Sequence, residues 1–254
     1  MKVLILGDVH GVWGDLNIVI NAALQQHPDI THLIQVGDFG YAWPGGKPFK
    51  FSKSFMDDCT YEKARSLPFY WIDGNHENHD QLEKDQGAYQ PRMIYMPRGS
   101  VTDMLDDDDT DKRAMFFGGA SSIDKAHRIQ GKSWWPQESI TYSQTMIALA
   151  QRGPIDLMIS HEFPAAFPYG SYKDNFGKGD KDALDAIRDH FKPKFWVFGH
   201  HHDYRAGKTN GTEWACAPII ESKQAIIWDG ISLDLFNASR GTRKDRRERS
   251  KDFY

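Results

Sequence analysis

The sequence predicts an α/β protein built on two packed β-sheets, and three observations carry that expectation. Apolar runs of strand length, Val3-Leu4-Ile5-Leu6, His32-Leu33-Ile34-Gln35-Val36, Phe69-Tyr70-Trp71-Ile72, Leu157-Met158-Ile159 and Phe195-Trp196-Val197-Phe198, recur with helix-period segments between them. Two further blocks, 93–117 and 212–235, read instead as successive short strands, the second punctuated by Asn210-Gly211 and Asp229-Gly230 hairpin signals. Two such blocks imply two sheets. With 254 residues, 40% of them hydrophobic, the chain can bury one large core, so a single domain is expected over 1–237.

The elements follow in order. Asp15 to Gln26 carries Leu16, Val19, Ile20, Ala23 and Leu24 at helical spacing, and Pro28 stops it. The loop 39–51 holds Tyr41, Trp43, Pro44, Gly45 and Gly46, a composition suited to an aromatic wall. A helix is expected over 54–66, before Pro68, and a short one around Gln81, Leu82 and Lys84. Between the strands at 101–105 and 113–117 lies an acidic tetrad, Asp106 to Asp109. It lacks the Gly and closing Glu of a calcium loop and reads as a solvated hairpin tip. Gly118-Gly119-Ala120 opens a polar arm carrying Lys125, His127, Arg128 and the pair Trp134-Trp135, which is expected to reach over the site. A helix is predicted over 136–152, closed by Gly153-Pro154, then a second rim loop over 165–179 and a helix over 180–191. Residues 238–254 are basic, have almost nothing to bury, and are expected to form a disordered, solubilising tail.

Composition limits the function classes. A net charge of −4 and a pI near 6.2 do not suit a surface built to hold nucleic acid, so that partner is an option but not the favoured one. Cys59 and Cys216 lie far apart in no CxxC pair, which suggests neither a disulfide framework nor a zinc knuckle. No apolar run approaches the ~20 residues of a bilayer span. With no targeting segment read at the N-terminus, a cytoplasmic location and no membrane partner are expected.

The chemistry is concentrated where strand-like runs end. Asp8 and His10 follow the first, Asp38 the second, Asn75 and His76 the third, His161 the fourth, and His200 and His202 the fifth. Any one Gly-Asp could be only a turn. Apart from His76, seven ligand-type residues recurring at strand ends point instead to metal, and their mixture of carboxylate, imidazole and amide oxygen suits borderline or hard divalent ions. Seven are too many for one ion.

Taken together, Asp-x-His at 8–10, Gly-Asp at 37–38, Gly-Asn-His-Glu at 74–77, a lone His161 and Gly-His-x-His at 199–202 resemble the calcineurin-like metallophosphoesterases. The resemblance spans Val3 to His202. It implies a four-layer αββα sandwich of two mixed sheets flanked by helices. It also implies two divalent ions, manganese first, with iron, zinc, magnesium, nickel or cobalt as alternatives. By that resemblance Asp8, His10 and His202 hold one ion, Asn75, His161 and His200 the other, and Asp38 bridges them. A hydroxide generated between the ions would attack phosphorus in line. His76 would serve as general acid, with Glu77 or Asp73 orienting it.

Within that family the phosphoprotein phosphatases carry Asp-Arg-Gly after the second block and an Arg before Gly-Asn-His. Here Phe39-Gly40-Tyr41 follows Asp38, and Asp73 precedes Gly74. The expected substrate is therefore a small phosphodiester or nucleotide-type molecule, with Arg128 and Lys125 on phosphate and Tyr41, Trp43 and Trp134 stacking on a base. Arg92 and Arg98 are alternative phosphate contacts. A serine/threonine phosphoprotein phosphatase and a catalytically silent scaffold are the competing readings. Among the remaining histidines, His201 is expected to point away from its ligand neighbours in an extended segment, and His79 to be an ordinary polar or packed residue.

Overall fold

Apolar side chains alternate along the buried strands and so feed both faces of each sheet. In the computed structural model, which describes residues 1–88, 92–104, 112–169 and 176–239, this builds two mixed six-stranded sheets packed face to face. Strands β1 (Val3–Leu6), β2 (His32–Gln35), β3 (Phe69–Trp71) and β4 (Met93–Tyr95) are parallel neighbours in the first. They are linked by α1 (Trp13–Gln26), α2 (Asp58–Ser66) and α3 (His79–Asp85). The hairpin of β5 (Ser100–Met104) and β6 (Lys112–Phe117) starts the second sheet. Then α4 (Tyr142–Leu149), β7 (Leu157–Ser160), α5 (Lys178–Phe191) and β8 (Phe195–Phe198) follow, with β7 and β8 adding in parallel.

Each sheet is completed by a C-terminal hairpin. β9 (Arg205–Thr209) turns at Asn210-Gly211 into β10 (Thr212–Cys216), which pairs in parallel with β8. β11 (Gln224–Trp228) and β12 (Leu233–Asn237) cross back to the first sheet, where β11 lies antiparallel to β1. Three apolar layers result. Val3, Ile5, Ile34 and Ile72 meet Phe116, Leu157, Ile159 and Val197 between the sheets. Leu4, Leu6 and Leu33 pack under Leu16, Val19 and Ile20 of α1, while Met115, Met158 and Trp196 pack under Leu184 and Ile187 of α5. The expected αββα sandwich is the fold observed.

Local departures have physical reasons. The helix expected over 136–152 is a 3₁₀ turn, Pro136–Glu138, followed by the shorter α4. The Arg98 guanidinium takes the carbonyls of Gln137, Glu138 and Ser139, and Asp180 accepts the Ile140 N–H, so these backbone groups are not free to join a helix. Thr141 then starts α4 with a capping box closed by Gln144. α2 begins at Asp58 rather than near Ser54, because the Asp57 carboxylate accepts the Thr60 N–H at 2.8 Å. The run at Met93 joins β3 in the first sheet, not the strands that follow it. The tetrad 106–109, residues 170–175 of the second rim loop and 240–254 of the basic tail lie outside the described residues. Among those described, no helix is long and apolar enough to cross a membrane.

Candidate metal centre

The strands that end in ligand-type residues deliver them to one place because β1, β2 and β3 of the first sheet and β7 and β8 of the second present their carboxyl ends to it. The loops are tightly bent. His10, Asp38, His200 and His202 all have positive φ, between 47° and 68°, a region that side chains with a Cβ avoid. The segment after β8 is not extended, as its sequence suggested. The N–H of His201 bonds the Gly199 carbonyl and that of Asp203 bonds the His201 carbonyl, each at 2.8 Å, so His200 and His202 each sit at the apex of a three-residue turn. Both therefore face the centre while His201 turns to Glu162, 3.0 Å from its Nε2. Close approach also demands glycine twice: a Cβ at Gly74 would lie 2.2 Å from Asp38 Oδ1, and one at Gly199 2.4 Å from Asp8 Oδ1.

Two sets of donor atoms converge. Asp8, His10, Asp38 and His202 form one, and Asp38, His161 and His200 the other, each with its ligand atoms within 4.8 Å of one another. Asp38 belongs to both. His10 and His202 bring their Nε2 atoms to 3.2 Å, and Asp8 Oδ2 lies 3.1 Å from His202 Nε2. That Asp8 oxygen is fully buried and receives no hydrogen bond. In the second set, His161 gives its Nδ1 proton to the Val36 carbonyl at 2.9 Å. Its Nε2 is thereby directed at Asp38 Oδ1 and Asn75 Oδ1, both at 3.3 Å. An orphaned buried carboxylate oxygen among imidazole nitrogens fits a cation.

The carboxylates make the site one that attracts positive charge, a proton on His161 where no metal ion displaces it. Burial opposes charge on His161, yet the Asp38 and Asp8 carboxylates drive it up to about 10. Burial likewise opposes charge on Asp38, but the facing His161 holds its carboxyl well below the usual range. His200, buried among other imidazoles, is pushed down to about 4, the neutral form that a ligand requires.

His76 stands beside this centre, its backbone N–H bonded to Asp38 Oδ1 at 2.7 Å. Its ring lies edge-on to His10, with centroids 4.8 Å apart, and 5.3 Å from Trp43. Arg128 Nη2 is 2.9 Å from His76 Nε2, and Arg128 Nε is 2.8 Å from the Asp124 carboxylate. A guanidinium can only donate, so His76 Nε2 accepts and the ring proton is on Nδ1. Burial first, and then neighbouring cations, lower the His76 pKa.

Several expected contacts have other duties. Neither Glu77 nor Asp73 orients His76. Glu77 accepts the N–H groups of Phe39, Gly40 and Gly74, tying the second and third ligand loops together. Asp73 is buried against Arg98 at 2.6 Å and Tyr95 at 2.9 Å, which also removes Arg98 as a phosphate contact. Tyr41 is not a free stacking face: its ring is buried against Trp71 and its hydroxyl bonds Asp85. Lys125 is exposed on the 3₁₀ turn Lys125–His127, and Trp134 is half-buried in the arm. Its neighbour Trp135 is the packed member of the pair, against Trp43 and with Nε1 bonded to Asp80. His79 is buried, with Nε2 3.2 Å from the Gly74 carbonyl.

Three supporting residues gave no sequence signal. Ser122 accepts from Asn75 Nδ2 at 3.0 Å and is itself held by the Glu138 carboxylate. Asp180, on α5, fixes Ser121 and Ile140 at the two ends of the arm. Nothing in their spacing links these residues to the ligand loops.

One carboxylate shared by two donor sets is what a pair of divalent ions requires, and on this sandwich it defines the class of dinuclear phosphoesterases. Residues 1–204 match the profile of the Calcineurin-like phosphoesterase family, and the chain belongs to that family. It is thus a metal-dependent phosphoric ester hydrolase. No curated protein sequence matches the chain. Among solved structures, Thermus thermophilus TT1561 superposes with a TM-score of 0.59 at 11% identity, covering 93% of this chain and 98% of its own. GAP50, the anchor in the inner membrane complex of Plasmodium, gives 0.54 at 16% identity, over 95% and 86%. A putative 5′-nucleotidase from Staphylococcus aureus gives 0.56 at 14% identity, over 99% of this chain and 57% of the nucleotidase. At these identities the likeness is one of fold.

Proposed function

We propose that the protein hydrolyses a small phosphodiester or nucleotide-type phosphoester at a pair of divalent ions, manganese being the resident metal. The observation that carries this reading is the membership of Asp38 in both donor sets. Asp8, His10 and His202 would hold one ion, Asn75, His161 and His200 the other, with Asp38 between them. When bound, the ions activate the attacking water and neutralise charge on the phosphoryl oxygens.

The protein's own groups do the rest. The Val36 carbonyl fixes the His161 tautomer, and the His76 N–H fixes the rotamer of Asp38. Arg128 is the half-buried guanidinium at the centre and is the phosphoryl clamp in this reading. Engaging phosphate oxygens would draw it from His76 Nε2, leaving that nitrogen free to take a proton from solvent and, as the imidazolium, to give it to the departing oxygen. With Arg98 committed to Asp73, a second gripping arginine of the protein-phosphatase kind is missing among the described residues, which favours a small substrate. The two free thiols, Cys59 and Cys216, suit a cytoplasmic setting.

The test compares bis-p-nitrophenyl phosphate with p-nitrophenyl phosphate on the manganese-loaded enzyme. Faster diester turnover is expected. His76→Ala should keep both metals by elemental analysis and lose roughly 10²–10⁴-fold in kcat. Preference for phosphopeptides, or inactivity with both metals bound, would replace this reading.

A further inference from the structure

Beside the metal centre a cavity of about 440 Å³ opens between the loop after β2 and helix α3. Its walls include Trp43, Lys47, Asn78, Gln81 and Asp85, with Tyr41 behind them. Trp43 is the partition, since the same ring that lines the cavity lies 5.3 Å from the His76 ring. The cavity wall begins at Gly40, two residues beyond the carboxylate shared by both donor sets. An ester substituent leaving the phosphorus on the His76 side would therefore meet Trp43 first.

The lining is built rather than incidental. Trp43 is held from behind by Trp135, whose own indole is anchored to Asp80. Asp85 Oδ2 collects the Tyr41 hydroxyl and the Gln81 amide, which fixes one end of Gln81. Asn78 spends its Oδ1 on the Gln81 N–H at the start of α3. The other ends, Gln81 Oε1 and Asn78 Nδ2, take no hydrogen bond among the described residues. A half-buried aromatic face beside one free acceptor and one free donor, on Gln81 in the first turn of α3 and on its N-cap Asn78, is the complement of a heterocycle that stacks and pairs along its edge. The volume is within the ~300–1,000 Å³ of ligand pockets and accommodates a base with its sugar.

We infer that this cavity binds a nucleoside: one ester arm of the substrate stacks its base on Trp43 and presents its edge to Gln81 and Asn78. The inference rests on the phosphoesterase reading above and narrows its substrate to nucleoside phosphoesters. Lys47, also on the wall, would meet any further anionic group on that arm.

Two measurements on the metal-loaded protein test it. The first is the ratio of kcat/KM for a thymidine 5′-(p-nitrophenyl) phosphate to that for methyl p-nitrophenyl phosphate, in wild type, Trp43→Leu and Gln81→Leu. The second is calorimetric binding of thymidine and adenosine, which involves no turnover. The ratio should exceed about tenfold in wild type and fall by about tenfold in each variant, with weaker nucleoside binding in both. A ratio near one, or variants that leave ratio and binding unchanged, overturns the inference while the phosphoesterase reading stands. If neither ester is turned over, that reading fails instead, and calorimetry alone still decides the cavity.

Discussion

His10, Asp38, His200 and His202 all hold left-handed backbone without being glycine, at about 1–3 kcal/mol each, and all four supply donor atoms to the centre. The bends aim side chains that an extended loop would splay to alternate faces. Single residues also carry the protein's acid sensitivity. Burial pushes the His79 imidazole down to about 4, against about 6.5 in an unfolded chain. Between those values the unfolded chain takes up a proton that the folded one refuses. His79 thus costs nothing above pH 6.5 and removes about 3 kcal/mol of stability as pH falls from 6.5 to 4. Urea unfolding of chelator-treated protein from pH 7 to 4.5 should show a loss about 2–3 kcal/mol smaller in His79→Gln than in wild type. Parallel curves would remove His79 from the acid limb.

At the level of elements, α4 is short because its expected first turns are consumed elsewhere. Arg98 and Asp180 take the backbone of 137–140, and the helix restarts at Thr141 with a reciprocal cap to Gln144. With only Tyr142–Leu149 in α4, that cap is a large share of the helix's local stability. Thr141→Ala should cost about 1 kcal/mol, read as a lower urea midpoint at unchanged slope. The same segment forms the far end of the arm that carries Ser122 and Arg128, so its backbone bonds fix how the arm returns to the sheet.

Across the whole molecule, the metal centre joins the two sheets. Asp8, Asp38 and Asn75 stand on loops of the first sheet, and His161, His200 and His202 on loops of the second. Ions held by both sets would bind the folded chain and not the unfolded one. At a hundredfold excess over Kd each adds about 2.7 kcal/mol. Chelation should lower Tm and manganese should restore it, with a smaller recovery in Asp38→Asn. A Tm indifferent to chelator would mean that the sheets do not depend on the ions.

Sequence alone determined the fold class and most of the residues that the strand ends bring together. Each ligand-type residue follows an apolar run within a few positions, and the order Asp8, His10, Asp38, Asn75, His161, His200, His202 is readable without coordinates. Periodicity reports which face of a strand is buried, and that is local information. It did not say which sheet would claim β4, since edge pairing is chosen by partners remote in sequence. Nor did it say which partner each charged side chain would take: Arg98 went to Asp73, Glu77 to three backbone N–H groups, and Arg128 to His76. Tyr41 and Trp43 look alike as loop aromatics, yet packing against Trp71 buried the first and left the second beside the site. Those choices belong to tertiary structure, because the desolvation of a buried charge or ring is settled only by what the rest of the fold places against it.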